Sequence, residues 1–596
     1  MSPSDRRPEG GRPAGETPRA RTRVVRPPRR LALRPDNPAG SAVNVLAKAP
    51  GELKEAHEVE LATTARPLFD VDAYVEDFNT SIVPAYRRGV ADAEWPADVG
   101  LARSIIPPGT AATRDFSRLA PQIPDFIAER CVGCMSCVNA CPDTAILGIA
   151  LPESTVEERI AAFAASQPEP AVAEASLRRH FAHTTKYAEV PRKQGKEPAK
   201  FGIFVDPVHC KGCAECVAVC HELGYDALVM IDKVEAESET GEGTLERYER
   251  DIAFFRSLPP TPPEYRNERA LADLMLGEHA LGYVGGAGSC AGCGEATAIR
   301  MLVAATRQIH GPASMGIVAA TGCNTVFGST YPFNPFLVPW TNSLFENAPA
   351  VALGIRERWD QAGYRDRKLW VLGGDGAMYD IGFQALSRMV ASGADINVLV
   401  LDTQVYSNTG GQASTASFGG QITKLSAYGK EIHGRPEARK ELGRILVAHG
   451  NVYVAQTTPA HINHFYRAIM EANTFPGPAV VIAYAPCMPE HGIADDAATR
   501  QAKLAVESRA FPLFTYDPRR GESIAERLSL TGNPAIKEDW AKLPDGTVVD
   551  FLAFARSEGR FAQHFGPDGT PTPEILATQA ERLANWRTLQ ELAGIR

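Results

Sequence analysis

The sequence predicts an α/β protein: a parallel sheet with helices on both faces, preceded by a smaller cysteine-rich α+β module and an irregular N-terminal arm. Three observations predict it. The chain has 596 residues, 44% hydrophobic and 22% charged, enough for about three or four domains that each bury a core. Between 261 and 500, apolar runs of strand length alternate with longer helical patterns, as in a parallel sheet covered on two faces. Ahead of them stand two identical C-x-x-C-x-x-C-x-x-x-C runs.

Each segment follows from its composition. Residues 1–34 hold ten arginines against three acids in a chain of net charge −9, with much Pro and Gly, so a disordered basic tail is expected. Residues 35–124 scatter apolar anchors (Leu68, Phe69, Tyr74, Phe78, Ile105, Ile106) without a sustained period, which suits an irregular arm draped over another surface. Residues 125–260 form the cysteine-rich module. Its two runs are separated by 68 residues, read as an insertion with a helical candidate at Val156–Ala165 and a basic loop at Arg192–Lys200. Glu235–Asp251 is acidic and polar, and Leu258-Pro259-Pro260-Thr261-Pro262-Pro263 reads as a stiff linker. In 261–500 the strand candidates are Gly316–Ala320, Leu369–Leu372, Ile396–Leu401, Val452–Gln456 and Ala479–Ala485. Helices are expected at Ala296–Thr306 and at Asp380–Ser392, where Leu386, Met389 and Val390 make an apolar stripe that Gly393 ends. Residues 501–596 read as a C-terminal arm without a core of its own, finishing in a polar helix over Pro573–Leu592.

The net acidic body argues against a nucleic-acid partner. No window approaches the roughly 18 unbroken apolar residues of a membrane span, and the opening lacks an apolar signal core. A cytoplasmic protein with no membrane partner is therefore expected.

The twelve cysteines carry the first chemical signal. In a four-cysteine run of this spacing, three thiolates turn toward one cluster and the fourth ligates the other. Cys131, Cys134, Cys137 and Cys220 then hold one 4Fe–4S cluster, and Cys210, Cys213, Cys216 and Cys141 hold a second. Disulfides do not suit a chain without a secretion signal. Structural zinc prefers paired C-x-x-C knuckles to two complete runs. Pro142 follows Cys141 as the pattern expects, but His221 follows Cys220.

The remaining signals fall where strands end. In open α/β sheets, ligands collect beyond the carboxyl ends of the strands. Thr321-Gly322-Cys323, Gly374-Asp375-Gly376, Asp402 to Asn408, and Cys487 each follow a strand candidate. Cys290 and Cys293 lie in Cys290-Ala291-Gly292-Cys293-Gly294-Glu295, just before a helix. Cys323 and Cys487 are either small buried core residues or, with Cys290 and Cys293, a third four-thiolate set. Mg²⁺ needs oxygens in octahedral array and usually keeps a phosphate in its shell. The Asp375 carboxylate, the Thr403 hydroxyl and the Val405 carbonyl can supply three. Gly374 and Gly376 leave room for a diphosphate, and Asn408, which both donates and accepts, can orient a substrate carboxylate or carbonyl. A plain flexible turn remains the alternative for Asn408-Thr409-Gly410-Gly411.

These motifs resemble the thiamine-diphosphate family of 2-oxoacid:ferredoxin oxidoreductases over about 125–596. The resemblance rests on both cysteine runs, Cys-Ala-Gly-Cys-Gly-Glu at 290–295, Ala-Thr-Gly-Cys at 320–323 and Asn-Ser-Leu-Phe-Glu at 342–346. It continues through Gly-Asp-Gly at 374–376, Tyr-Ser-Asn-Thr-Gly-Gly-Gln at 406–412 and Ala-Lys-Leu-Ala-Val at 502–506. It implies a thiamine-diphosphate-binding sheet domain behind a two-cluster ferredoxin-like module. It further implies that Cys290, Cys293, Cys323 and Cys487 hold a cluster near the thiamine, that Asp375, Thr403 and the Val405 carbonyl bind Mg²⁺, that Glu295 lies against the cofactor, and that Asn408 faces the substrate. The implied reaction is reversible, coenzyme A-dependent oxidative decarboxylation of a 2-oxoacid, pyruvate first, with electrons passing through three 4Fe–4S clusters to ferredoxin or flavodoxin. Because 261–500 accommodates one such domain, a partner subunit is expected to carry the pyrimidine-binding, substrate and coenzyme A domains, in a hetero-oligomer. The alternatives are the same chemistry on 2-oxoglutarate, a branched 2-oxoacid or indolepyruvate, and a non-catalytic electron-transfer subunit.

Overall fold

In the cysteine-rich module the first and last strands close on each other. Strand β1 (Gln122–Phe126) pairs antiparallel with β5 (Leu228–Asp232), from Gln122 opposite Asp232 to Phe126 opposite Leu228. Between them run helix α1 (Ser136–Ala140), β2 (Ile146–Pro152), α2 (Glu153–Ala164), α3 (Pro170–Arg178), β3 (Phe181–Ala182), β4 (Ala199–Val205) and α4 (Glu215–Glu222). Strands β2, β4 and β3 form an antiparallel sheet in that order. These coordinates are a computed structural model describing residues 76, 79–80, 83–90, 109–235, 242–267, 270–276, 282–285, 288–311, 315–330 and 333–596. All of these lie in one unit, Thr63–Arg596. The basic tail and most of the arm expected over 35–124 fall outside the described residues.

The inserted segment between β2 and β4 builds a small core of its own. Val156 and Ile160 of α2 and Leu177 of α3 meet Ile149, Leu151, Phe181 and Phe204. The acidic stretch after β5 differs from its expectation: Thr244–Ser257 is a 14-residue helix, α5. Its charges hide an apolar stripe, Ile252 and Phe254, that packs into this same core. Buried Asp251 on α5 is held by His180 at 2.8 Å and by Arg250 at 2.9 Å. The expected basic loop at Arg192–Lys200 is also more ordered, divided between a helical turn at Val190–Lys193 and the start of β4.

The second module is an eight-stranded sheet. Helix α6 (Gly294–His310) leads into β6 (Met315–Ala320), followed by β7 (Trp340–Ser343), α7 (Ala348–Gln361), β8 (Lys368–Gly374), α8 (Phe383–Ser392), β9 (Asn397–Asp402), β10 (Tyr453–Thr457), α9 (Ile462–Thr474), β11 (Ala479–Tyr484), α10 (Ala498–Glu507), β12 (Phe514–Tyr516), β13 (Leu528–Ser529) and α11 (Pro573–Leu592). The strand order is β13-β12-β10-β11-β9-β8-β6-β7. Six strands are parallel, and β12 and β13 extend the edge antiparallel. Alternate residues of each strand feed opposite cores, as the pleat requires. Trp370, Leu372, Leu399 and Leu401 face α6 and α9 in a cluster continuous with the cysteine-rich module. Leu369, Val371, Val398 and Val400 face α7 and α8.

The C-terminal segment has no independent core because it completes that second face. Phe551, Phe554, Phe561, Ile575 and Trp586 join the cluster under the sheet. Parallel strands put the ends of β6, β8, β9 and β11 on one edge, and the candidate site stands there.

Candidate active site and cluster cavities

The two cysteine runs fold alike. Each contains a glycine and then a second residue in the left-handed region: Gly133 (φ 72) with Met135 (φ 68), and Gly212 (φ 68) with Ala214 (φ 63). These positive-φ residues curl the chain so that successive thiols face inward. A Cβ on Gly133 would press within 2.7 Å of the Tyr187 ring, and one on Gly212 within 2.5 Å of Ala120 Cβ. One cavity is lined by Cys131, Cys134, Cys137 and Cys220. Another is lined by Cys141, Cys210, Cys213 and Cys216. Backbone amides point at the sulfurs: Gly133 to Cys131 Sγ (3.4 Å), Ala145 to Cys141 Sγ (3.4 Å) and Ala227 to Cys220 Sγ (3.2 Å). Among the described residues, no three His, Cys, Asp or Glu are gathered tightly enough for a single metal ion.

His221 has a structural consequence. Pro142 disfavours helical geometry in the residue before it, so α1 stops at Ala140 and Cys141 is extended (φ −68, ψ 120). With His221 in the equivalent place, α4 runs on to Glu222 and presents Cys220 from within the helix. The exposed His221 ring bonds Asp226 at 2.6 Å and does not line the cavity of Cys131, Cys134, Cys137 and Cys220.

Burial pushes the Cys131 thiol up to about 11 and the Cys210 thiol up to about 12. Without a cation the sites therefore hold neutral thiols, so metal binding and thiol deprotonation are coupled.

At the sheet edge, the loop before α6 is docked onto the loop after β11. Gly292 (φ 71) is in the left-handed region, and a Cβ there would run into the Asp495 carbonyl. Gly294 donates its N–H to the Pro486 carbonyl (3.2 Å). A Cβ on Gly294 would lie 2.7 Å from Pro486 N. This crossing brings the thiols of Cys290, Cys293 and Cys487 into mutual electrostatic range, with Cys323 beside Cys293 and Cys487. Burial pushes Cys487 up to about 12 and Cys293 and Cys323 further.

Cys323 also forms part of the wall of a pocket of about 80 Å³. Glu295, Gly374, Asp375, Gly376, Thr403, Val405 and Asn408 line the same pocket. The Thr403 hydroxyl lies 3.1 Å from Asp375 Oδ1 and 2.9 Å from the Val405 carbonyl. Adjacent ligands of an octahedral Mg²⁺ with bonds of 2.0–2.1 Å stand about 2.9 Å apart, so both distances from the Thr403 hydroxyl suit neighbouring ligands of that ion. Asp375 Oδ2 and Glu295 Oε2 are buried without a hydrogen-bond partner. Burial, reinforced by Asp402, raises Asp375 to about 8, and burial, reinforced by Asp375, raises Glu295 to about 8. Two buried acids, each raised by desolvation and by a neighbouring carboxylate, mark a place that a cation would relieve. Asn408 is exposed at the rim. Gly376 is fixed by packing, since a Cβ would come within 2.7 Å of the Tyr406 ring, whereas a Cβ on Gly374 would meet only the Leu401 carbonyl, at an ordinary 3.8 Å.

Two residues of this site were not singled out from sequence. Ser407 Oγ lies 3.0 Å from Thr403 Oγ1. His491, fully buried, receives the Cys487 N–H at Nδ1 (3.4 Å) and donates from Nε2 to the Thr403 carbonyl (2.8 Å). Burial, with Arg560 adding to it, holds His491 far below its usual range. The neutral ring therefore ties the Cys487 loop to the Thr403 loop. Its placement four residues beyond Cys487 was the available signal.

Comparisons with known proteins match this division. Residues 320–483 match the model of the thiamine pyrophosphate enzyme C-terminal TPP binding domain, and residues 124–147 match a 4Fe-4S binding domain. Those matches support thiamine diphosphate and iron–sulfur as the cofactor classes. The pyruvate-flavodoxin oxidoreductase of Rhodospirillum rubrum is 28% identical over 563 residues, covering 80% of this chain and 42% of that protein. The pyruvate:ferredoxin oxidoreductase of Moorella thermoacetica is 29% identical over 541 residues, covering 77% and 41%. The chain thus spans about two-fifths of the length of these relatives. A solved 2-oxoglutarate:ferredoxin oxidoreductase from Magnetococcus marinus overlaps 34% of this chain and 64% of its own at 24% identity, with a TM-score of 0.29, too slight an overlap to bear on function. No described helix is long and apolar enough to cross a membrane. Through its iron–sulfur and thiamine-binding regions alike, the chain is related to the 2-oxoacid:ferredoxin oxidoreductase family.

Proposed function

We propose that this chain is the catalytic and electron-transfer subunit of a pyruvate:ferredoxin or flavodoxin oxidoreductase. The reaction converts pyruvate and coenzyme A to acetyl-CoA, CO₂ and a proton, with two electrons delivered one at a time to the acceptor. Bound thiamine diphosphate supplies the carbanion-stabilising chemistry of decarboxylation, and the clusters supply one-electron carriers. In this reading Asp375, Thr403 and the Val405 carbonyl hold Mg²⁺ against the diphosphate. Glu295, kept protonated by burial, donates toward the cofactor, and Asn408 orients the substrate at the rim. Cys290, Cys293, Cys323 and Cys487 hold a cluster at the pocket wall, and the two module cavities hold one cluster each.

One observation carries the reading: the oxygen triangle around Thr403, the unpartnered acids Asp375 and Glu295, and the Cys323 thiol line a single pocket. An electron-transfer subunit without catalysis has no use for such a cradle. A partner subunit at the pocket rim is supported by Leu344 and Ile381, both more than half exposed: Leu344 precedes the pocket-lining Phe345, and Ile381, at the end of the helical turn Gly376–Ile381, is part of that lining. The test is to co-purify the chain with its partner and follow methyl viologen reduction with pyruvate, coenzyme A and thiamine diphosphate. Pyruvate-dependent reduction is expected; its absence with iron content intact overturns the reading.

A further inference from the structure

Arg300 stands on α6, about two turns beyond Cys293, and is 1% exposed. Its guanidinium reaches across to the cysteine-rich module and donates to the carbonyls of Val138 and of Cys141, the latter at 2.8 Å. It thereby closes the C-terminal end of α1. One turn earlier on α6, the Thr297 hydroxyl lies 3.2 Å from the Cys293 carbonyl and 3.4 Å from the Ala140 carbonyl. The helix therefore bridges the Cys293 loop and the Cys141 loop directly.

The charge on Arg300 has no acidic counterpart among the described residues within ion-pair distance, and its Nε has no hydrogen-bond partner. Asp143, two residues beyond Cys141, is bonded to Lys211 at 2.8 Å. The Asp143 carboxylate lies within electrostatic reach of Arg300, but the Cys141 thiol acts on its charge more strongly. A buried cation whose direct contacts are neutral carbonyls is costly, so its retention implies a closer negative partner. The candidate beside it is the thiolate set that includes Cys141. An iron–sulfur cluster on four thiolates is anionic and becomes more so on reduction, and its potential follows net charge and hydrogen bonding. A fixed cation in a low-dielectric interior favours the reduced form.

We propose that Arg300 is the built-in counter-charge of the cluster held by Cys141, Cys210, Cys213 and Cys216, and that it raises the reduction potential of that cluster. One electron arrives from the Cys293 side and no bond is made or broken. The inference rests on the cluster assignment given under Proposed function.

The test is an EPR-monitored redox titration of the full chain purified anaerobically, as wild type, R300K and R300Q. Lysine keeps the charge; glutamine keeps a donor and removes the charge. R300Q is expected to move one of three one-electron steps down by at least about 59 mV, a tenfold change in the equilibrium. The other two steps stay in place, and R300K stays near wild type. An unmoved R300Q, or an equal shift in R300K, overturns the proposal. Should R300Q fail to load iron, R300K decides: full iron with wild-type potentials supports the charge, and loss of iron there too assigns Arg300 a purely structural role. Wild-type protein without iron defeats the cluster assignment itself, and that result is visible before any variant is made.

Discussion

Gly294→Ala adds one carbon at the tightest backbone crossing of the catalytic edge. The new Cβ would lie 2.7 Å from Pro486 N and Cδ and 2.9 Å from Pro486 O, atoms that no rotamer change can move. Opposing terms decide the outcome. Alanine in a helix interior gains up to about 1 kcal/mol over glycine. Overpacking costs about 1–3 kcal/mol, and the Gly294–Pro486 hydrogen bond contributes about 1 kcal/mol more. At the first position of α6 the helix gain is smallest, so the clash wins and the net loss is about 1–3 kcal/mol. The strain is relieved by separating the start of α6 from the loop after β11, which carries Cys487 away from Cys290 and Cys293. The assay is iron per chain together with thermal stability. Gly354→Ala, in α7 with nothing within 4 Å of the added carbon, serves as the control. Gly294→Ala should lose about four irons and unfold earlier, while Gly354→Ala keeps its iron and gains about 0.5–1 kcal/mol. Full iron and unchanged stability in Gly294→Ala would refute the docking argument.

Cys323→Ala should likewise remove about four irons and leave the two module clusters in place; unchanged iron content would strike Cys323 from the ligand set. Thr403→Val deletes the hydroxyl shared by Asp375 and Val405, so calorimetry should find Mg²⁺-dependent thiamine diphosphate binding lost with iron unaffected. Asp375 without metal stays protonated up to about pH 8, yet Mg²⁺ needs the carboxylate, so binding releases a proton. Cofactor affinity should therefore fall about tenfold per pH unit on going below that value; a flat profile from pH 6 to 8 contradicts the burial argument. Glu215 accepts the N–H groups of Ala498 (3.1 Å) and Thr499 (2.8 Å) at the start of α10. Glu215→Ala should cost about 1–2 kcal/mol in thermal unfolding, and no loss would show that this contact does not hold the two modules together.

Much of the molecule could be read from local pattern. The five strand candidates all lie on observed strands, the α8 stripe of Leu386, Met389 and Val390 is buried, and Gly393 ends that helix with φ 74. Period and turn chemistry are local properties, so single-sequence reading reaches them. Helix α5 escaped because its apolar contacts are scattered among charges that become satisfied only against His180 and the inserted segment. The C-terminal segment looked coreless because its phenylalanines belong to a core begun some 230 residues earlier, at Val318.

The cysteine spacing alone determined which thiols share a turn, and the Gly-Asp-Gly and Thr403 motifs determined which oxygens are available. Only the tertiary structure decided that Cys323 borders the pocket of Asp375 and Glu295, that His491 ties the Cys487 loop to Thr403, and that Arg300 lies unpaired against Cys141. The reason is physical. Spacing constrains neighbours along the chain, whereas meetings across hundreds of residues depend on strand order and register, and on two backbones crossing closely enough that a single Cβ at Gly294 would hold them apart.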